Sequence, residues 1–267
     1  MLESQSEVTR VLQCAPVHFT EWFSESPRVH RVAFEKLKAY LTLTAGWALS
    51  PAFRALAHFF LPKKVKSMHA QLAKLLESRR GTHRENTPRE IYWALVAGED
   101  SRFFIHRGFD ISAILRAVWQ LIWFGRLQGG STIEQQLVRT VTGNYRRTLS
   151  RKVTEIALAA CVSEVLSKRE TLDAYLGIAH FGWRMEGICG TCQVLGYNTC
   201  NIRPAEAASL IARLKYPEPR IRTSNWADLL ARRTRNILRC ICAGSHEPGW
   251  LNQYWKENET VLVQRGS

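Results

Sequence analysis

Acidic side chains are scarce in this chain, and so are strand patterns and long apolar runs. Asp and Glu number 23 against 37 Lys and Arg, a formal excess of 14 positive charges over 267 residues. Such an imbalance calls for an anionic partner, whether phosphates, lipid headgroups or nucleic acid. No Cys2His2 spacing, RNP signature or basic zipper is present, so nucleic acid is set aside. Period-two alternation is nearly missing, which argues against a β fold. The charge-free stretch Ala39 to Phe53 runs for 15 residues and contains Pro51, whereas a spanning helix needs about 20. The first 20 residues lack the apolar region of a cleavable signal sequence. Internal repeats and low-complexity linkers are absent.

What is present begins with a hydrophobic content of 46%. That content and this length suit one folded domain of ordinary size plus an accessory region. Arg54 interrupts the apolar stretch, and Ala55 to Leu61 continues it with His58 inside. Lys36 and Lys38 precede it and Lys63, Lys64 and Lys66 follow, so flanking charge assigns no orientation. Three readings of segment 39–61 stay open: an imperfect span, an interfacial amphipathic anchor, or a buried helix. Seven cysteines occur, six of them after this stretch. Cys189 and Cys192 form a CxxC, with Cys200, Cys240 and Cys242 downstream. These spacings match no standard zinc module, which favours plain thiols or a disulfide over a metal.

Helix punctuation is regular from residue 85 onward. Thr87-Pro88-Arg89-Glu90 reads as a capping box with Pro in the first turn, and Ile91, Ala94 and Leu95 mark its apolar face. Asp110 is placed to cap a helix carrying Ile111, Ile114, Leu115, Val118 and Ile122, stopped near Gly125. Ser150 reads as the start of the next, with Val153, Ile156, Ala157 and Ala160 inward. Ser167-Lys168-Arg169-Glu170 is a second capping box, Pro204 opens a helix to Leu214, and a last helix occupies Trp226 to Ile241. The class is mainly α.

Three segments carry chemistry. Glu99 opens Glu99-Asp100-Ser101-Arg102-Phe103-Phe104-Ile105-His106-Arg107-Gly108. Next comes Gly129-Gly130-Ser131-Thr132-Ile133-Glu134-Gln135-Gln136-Leu137-Val138-Arg139, and then Arg151-Lys152-Val153-Thr154-Glu155. Taken singly they are weak. A Glu-Asp pair reads as a solvated helix end, His106 as a structural histidine, and Arg151 with Glu155 as a surface pair four residues apart. Taken together they suit sugar transfer from a phosphorylated donor. Glu99, at a helix C-terminus beside Asp100, is placed to act as a base. The glycine-rich turn offers backbone N–H groups and hydroxyls to an oxyanion. The cations hold a leaving phosphate while a carboxylate takes the acceptor's proton.

In order and spacing these segments resemble the bacterial peptidoglycan glycosyltransferases of family 51. That family comprises the glycosyltransferase half of class A penicillin-binding proteins and shorter monofunctional enzymes. The resemblance covers about residues 85–245, leaving 1–84 as an N-terminal extension with the membrane-associating segment 39–61, and 246–267 as a tail. It implies a lysozyme-like helical glycosyltransferase domain acting on lipid II. By the family mechanism, Glu99 deprotonates the GlcNAc 4-hydroxyl of the acceptor, which displaces the diphosphate lipid at the donor's MurNAc C1 with inversion. Glu155 is the second catalytic carboxylate, beside the diphosphate, where Mg2+ or another divalent cation could join it. Asp100, Phe103, His106, Ser131, Thr132, Gln136, Arg139, Arg151 and Lys152 are the implied substrate-binding residues, and Glu206 is structural, paired with the interior.

This chain departs from the family pattern at several positions. Arg139 stands for Lys, Glu134 for a small hydroxyl residue, Thr140 for Asn, Gly177 for Asn, and His180 for an acidic or tyrosine residue. Arg139 keeps the charge but changes its geometry from a point to a fork. The implied partners are lipid II, the nascent glycan strand, an anionic membrane surface and other cell-wall synthesis proteins. The implied location is the bacterial cytoplasmic membrane, with the catalytic domain on its outer face. The chain shows no Ser-x-x-Lys or Lys-Thr-Gly, so no transpeptidase activity is expected. Two other classes are weighed: a lysozyme-like muramidase, which the phosphate-binding cations disfavour, and a non-catalytic protein that binds lipid-linked precursor.

Overall fold

The computed structural model of the protein describes residues 27–81, 87–125, 129–146, 148–199 and 201–243. Two helices lead: α1, Pro27–Phe60, and α2, Pro62–Gly81, with Pro62 as the first residue of its helix. Helix α3, Arg89–Glu99, starts without the capping box expected at Thr87. Pro88 is itself the cap residue in extended conformation, which leaves Thr87 one position too far out, and no side chain caps the helix.

Asp110 does cap α4, Ile111–Phe124, by accepting from the N–H groups of Ser112 and Ala113, and Gly125 ends it in the left-handed conformation. Thr132 caps α5, Ile133–Thr142. Helix α6, Leu149–Val165, is capped by Thr148 rather than Ser150, which sits inside the first turn. The Ser167–Glu170 box forms reciprocally and opens α7, Lys168–Ile178. A short antiparallel hairpin follows, β1 (His180–Gly182) with β2 (Met185–Glu186). Then come α8, Ile188–Leu195, α9, Pro204–Lys215, and α10, Ser224–Ala243. Glu206 does not reach the interior. It accepts from the Arg203 N–H at 2.9 Å and pairs with the exposed Arg203 guanidinium at the start of α9.

Helix α3 packs against α9 and α10, while α6 packs against α1 and α5, and α5 also meets α7. Ile91, Leu95, Phe103, Leu137, Leu158, Leu172, Leu176 and Ile211 are fully or almost fully buried in one core. Ala57, Val65, Met68 and Leu72 of α1 and α2 belong to the same core. Helix α1 is also tied to the 100–110 loop. The Trp47 indole N–H donates to the Ile105 carbonyl at 3.0 Å, and Phe53 meets Phe109 edge-on. The loop itself lies hard against α6. Gly108 has φ +87°, and a Cβ there would meet the Ala159 carbonyl oxygen at 2.4 Å.

Segment 39–61 therefore falls in a helix that packs one side on the domain and exposes Leu49, Leu56, Phe59 and Phe60. Among the described residues no helix is long and apolar enough to cross a membrane. Helix α4 lies where Asp110 and Gly125 were expected to bound it, yet none of its residues is buried, and Leu115, Val118, Trp119, Leu121, Ile122, Trp123 and Phe124 are exposed. Trp119 and Trp123 stack on each other at 4.2 Å, one turn apart on that open face. A ridge of this size that no described residue covers is unusual for a surface that faces only water.

Candidate active site

Helix α3 ends at Glu99, and two side chains from distant elements hold its carboxylate. Gln136 of α5 donates its amide to Glu99 Oε2 at 3.1 Å. Arg233 of α10 donates to Glu99 Oε1 at 3.1 Å and also to the Gly98 carbonyl. The Gln136 amide is itself oriented, because the Tyr175 hydroxyl donates to Gln136 Oε1 at 2.6 Å. Burial, and after it the Glu99 carboxylate, raises the Tyr175 pKa, which keeps that hydroxyl a donor.

The second carboxylate lies on α6. Glu155 is buried, with Oε2 accepting from Arg151 and Oε1 accepting from Lys152 Nζ at 3.2 Å. Lys152 also donates to Ser131 Oγ at 2.7 Å and to Gln135 Oε1 at 2.5 Å. Burial pulls the Lys152 ammonium below its usual pKa. Glu155 opposes that pull, and the nearby Arg139 and Arg151 guanidiniums reinforce it. Arg151 and Lys152 thus pair with Glu155, and Arg139 lies near enough to act on the Lys152 charge. A divalent cation does not fit Glu155 as arranged, since both carboxylate oxygens already carry a cationic side chain.

The adjacent Gln135 and Gln136 of α5 join the two halves, one anchoring Lys152 and the other Glu99. Beside Glu99 opens a cleft of about 210 Å³ whose lining includes Glu99, Asp100, Arg102, Arg116 and the 129–132 segment. Gly130 lets that segment lie on α4, because a Cβ would meet the Ala113 carbonyl oxygen at 2.8 Å.

The remaining expected site residues sit behind this surface. Asp100 is buried, with Oδ2 accepting from the Ile133 N–H at 3.2 Å and facing His106 Nε2 at 2.9 Å. It thereby fastens the loop to the start of α5. His106 is buried and Phe103 fully so, with Lys168 Nζ lying 4.2 Å from the Phe103 ring centroid. The Thr132 hydroxyl is committed, donating to the Gly108 carbonyl and accepting from the Gln135 N–H. Glu99, Ser131, Gln136, Arg139, Arg151, Lys152 and Glu155 are brought together in two linked clusters. Asp100, Phe103, His106 and Thr132 are placed to support them.

Sequence reasoning missed Arg233, Tyr175, Gln135, Arg102 and Arg116 as site residues. Gln135 stood inside the quoted motif, and Tyr175 opened the weaker Tyr-Leu-Gly match. Arg233 gave no local signal, since it lies 134 residues from Glu99. The Glu134 substitution also finds its explanation. Burial alone would raise this carboxyl's pKa, but Lys168 at 2.6 Å, with His106 nearby, holds it below the usual range.

Comparison with known proteins identifies the family. A family model described as "Transglycosylase" matches residues 67–241. Penicillin-binding protein 1A of Escherichia coli is 37% identical over 131 residues, 49% of this chain and 15% of that one. Penicillin-binding protein 1A of Vibrio cholerae is 39% identical over 110 residues, 41% of this chain and 13% of that protein. The biosynthetic peptidoglycan transglycosylase of Nitrosospira multiformis is 33% identical over 158 residues, 57% of this chain and 66% of the other. The chain thus spans under two thirds of the length of these relatives, and a small part of the penicillin-binding proteins.

Proposed function

The chain belongs to the transglycosylase family, and on that footing we propose that it is a peptidoglycan glycosyltransferase that polymerises lipid II. The observation that carries this reading is the pairing of two differently furnished carboxylates through one Gln-Gln step. Glu99 borders an open cleft and is held by two donors, so its remaining lone pairs can take the proton of the acceptor's 4-hydroxyl. The oxygen so activated forms a bond to the donor sugar's C1 as the bond from C1 to the lipid diphosphate breaks. Arg139, Arg151 and Lys152 supply the positive charge that the departing diphosphate requires. Glu155 serves by fixing Arg151 and Lys152 in place. This division of labour fits a phosphorylated donor better than glycan hydrolysis, which leaves no diphosphate to neutralise.

The substrate is a lipid, and the open face of α4 supports a place for the domain at the bilayer surface. Each large apolar side chain moved from water into lipid contributes on the order of 1.5–3 kcal/mol when fully buried. The chain's excess of basic residues adds attraction to anionic headgroups. We place the catalytic domain on the outer face of the cytoplasmic membrane, where lipid II and the nascent strand meet it, beside other cell-wall synthesis proteins.

The test is polymerisation of fluorescent lipid II by the full chain, read as glycan ladders on a gel. The parent forms ladders, and Glu99→Gln loses activity by roughly 10²–10⁴-fold. Both Glu99 oxygens face donors, so the variant's circular dichroism must be recorded beside it. Retained polymerisation in a folded Glu99→Gln protein would rule out the assigned base.

A further inference from the structure

Away from the cleft, the C-terminal end of α6 meets the α1–α2 junction, and three side chains of different metal-binding chemistry converge there. One ligand atom from each of His58, Cys161 and Glu164 lies within 4.8 Å of the others. The Glu164 carboxylate is divided in its contacts. Oε1 receives Arg54 Nε at 3.0 Å, while Oε2 faces His58 Nε2 at 3.8 Å. That second separation is too long for a hydrogen bond. It is near the roughly 3.3–3.8 Å between two donors that share one tetrahedral ion with bonds of about 2.0–2.3 Å.

A fourth group adjoins these three. The His69 ring lies 6.4 Å from that of His58 between centroids, and its Nε2 is buried without a hydrogen-bond partner. A buried polar nitrogen left in this way is destabilising unless something engages it. Two imidazoles on one tetrahedral ion stand about 5 Å apart between centroids, so a modest turn of His69 brings it into range.

We propose that His58, Cys161 and Glu164, with His69 as fourth donor, form a binding site for a borderline-soft divalent metal such as Zn2+. The donor set decides the class of ion. A thiolate beside imidazole favours Zn2+ or Co2+ over Mg2+ or Ca2+, which take oxygen ligands. The site is separate from Glu155 and from any reaction in the cleft. Without metal, Cys161 is a buried free thiol. Metal binding forms the sulfur–metal bond and releases that thiol proton to solvent. The ion would join α1, α2 and α6 at one point, pinning the leading hairpin to the helix whose other end carries Arg151, Lys152 and Glu155.

The experiment titrates the reduced, chelator-stripped full chain with Co2+ and records its absorption. One equivalent should produce thiolate-to-cobalt charge transfer together with the d–d bands of four-coordination, and Zn2+ should displace it. His58 is more than half exposed, so His58→Ala should keep the fold by circular dichroism while weakening Co2+ binding more than about tenfold. Cys161→Ser should remove the charge-transfer band, and Cys189→Ser should leave it unchanged. Absence of the band in the parent protein overturns the assignment. So does a band that survives both His58→Ala and Cys161→Ser, or one that Cys189→Ser removes, which would place the metal on the CxxC.

Discussion

Tyr175→Phe removes one oxygen and keeps the ring that packs in the core. Its hydroxyl donates to Gln136 Oε1 at 2.6 Å, and this contact decides which end of the amide faces Glu99. Two outcomes follow from its loss, and both are unfavourable. If the amide keeps its orientation, a buried carbonyl oxygen goes unsatisfied, costing about 1–3 kcal/mol. If the amide turns over, its oxygen faces the carboxylate and forfeits a charge-assisted bond worth about 1.5–3 kcal/mol. The melting temperature should therefore fall by several degrees, at roughly 2–4 °C per kcal/mol for a domain of this size. The turned amide also leaves Glu99 held by Arg233 alone. A loss of about 1.4 kcal/mol in its positioning is about tenfold in rate. Lipid II polymerisation rates and thermal melts of Tyr175→Phe, Gln136→Met and the double variant measure this directly. The two changes should be strongly non-additive, coupled by about 0.5–3 kcal/mol. Additive effects, or an unchanged rate in Tyr175→Phe, would refute the view that the tyrosine acts through the amide.

Lys152 has its pKa lowered, chiefly by burial. Its ammonium should be lost, and phosphate neutralisation with it, at a pH below the ordinary lysine value near 10.4. Across that same window the unfolded chain binds the extra proton, so this group's contribution to stability rises with pH. Lys152→Arg should extend the alkaline limb of the rate profile upward, and an unmoved limb would exclude Lys152 as its source. Lys168→Met leaves the buried Glu134 carboxylate unpaired and should destabilise by about 3–5 kcal/mol. Denaturant melts should show most of that loss restored by adding Glu134→Gln. Trp123→Glu, on the open ridge of α4, should cut co-sedimentation with anionic vesicles by at least about tenfold with unchanged circular dichroism. Unchanged sedimentation would remove α4 from the bilayer contact.

Much of this architecture is written locally and was readable. Asp110, Ser167 with Glu170, and Pro204 start helices where the sequence places them, because a cap acts on its own next turn. Thr87 and Ser150 failed for the same local reason in reverse. Pro88 and Thr148 shift the helix starts by one or two residues, and the wrong hydroxyl is then next in line. The hairpin strands, of three and two residues, are too short to show alternation. Helix α4 has a strong apolar pattern, but the pattern does not say whether protein or lipid covers it. The candidate site divides in the same way. Glu99, Glu155 and the cations stand in contiguous motifs, whereas Arg233 reaches Glu99 only through the packing of α10 on α3.

Neighbouring residues of a helix project about 100° apart, so Gln135 and Gln136 behave like two cams on one shaft. Any rotation or slide of α5 moves the anchor of Lys152 and the anchor of Glu99 in the same stroke. Proton removal and leaving-group neutralisation are therefore geared to a single mechanical coordinate. A distant substitution that tilts this helix cannot detune one half of the reaction and spare the other.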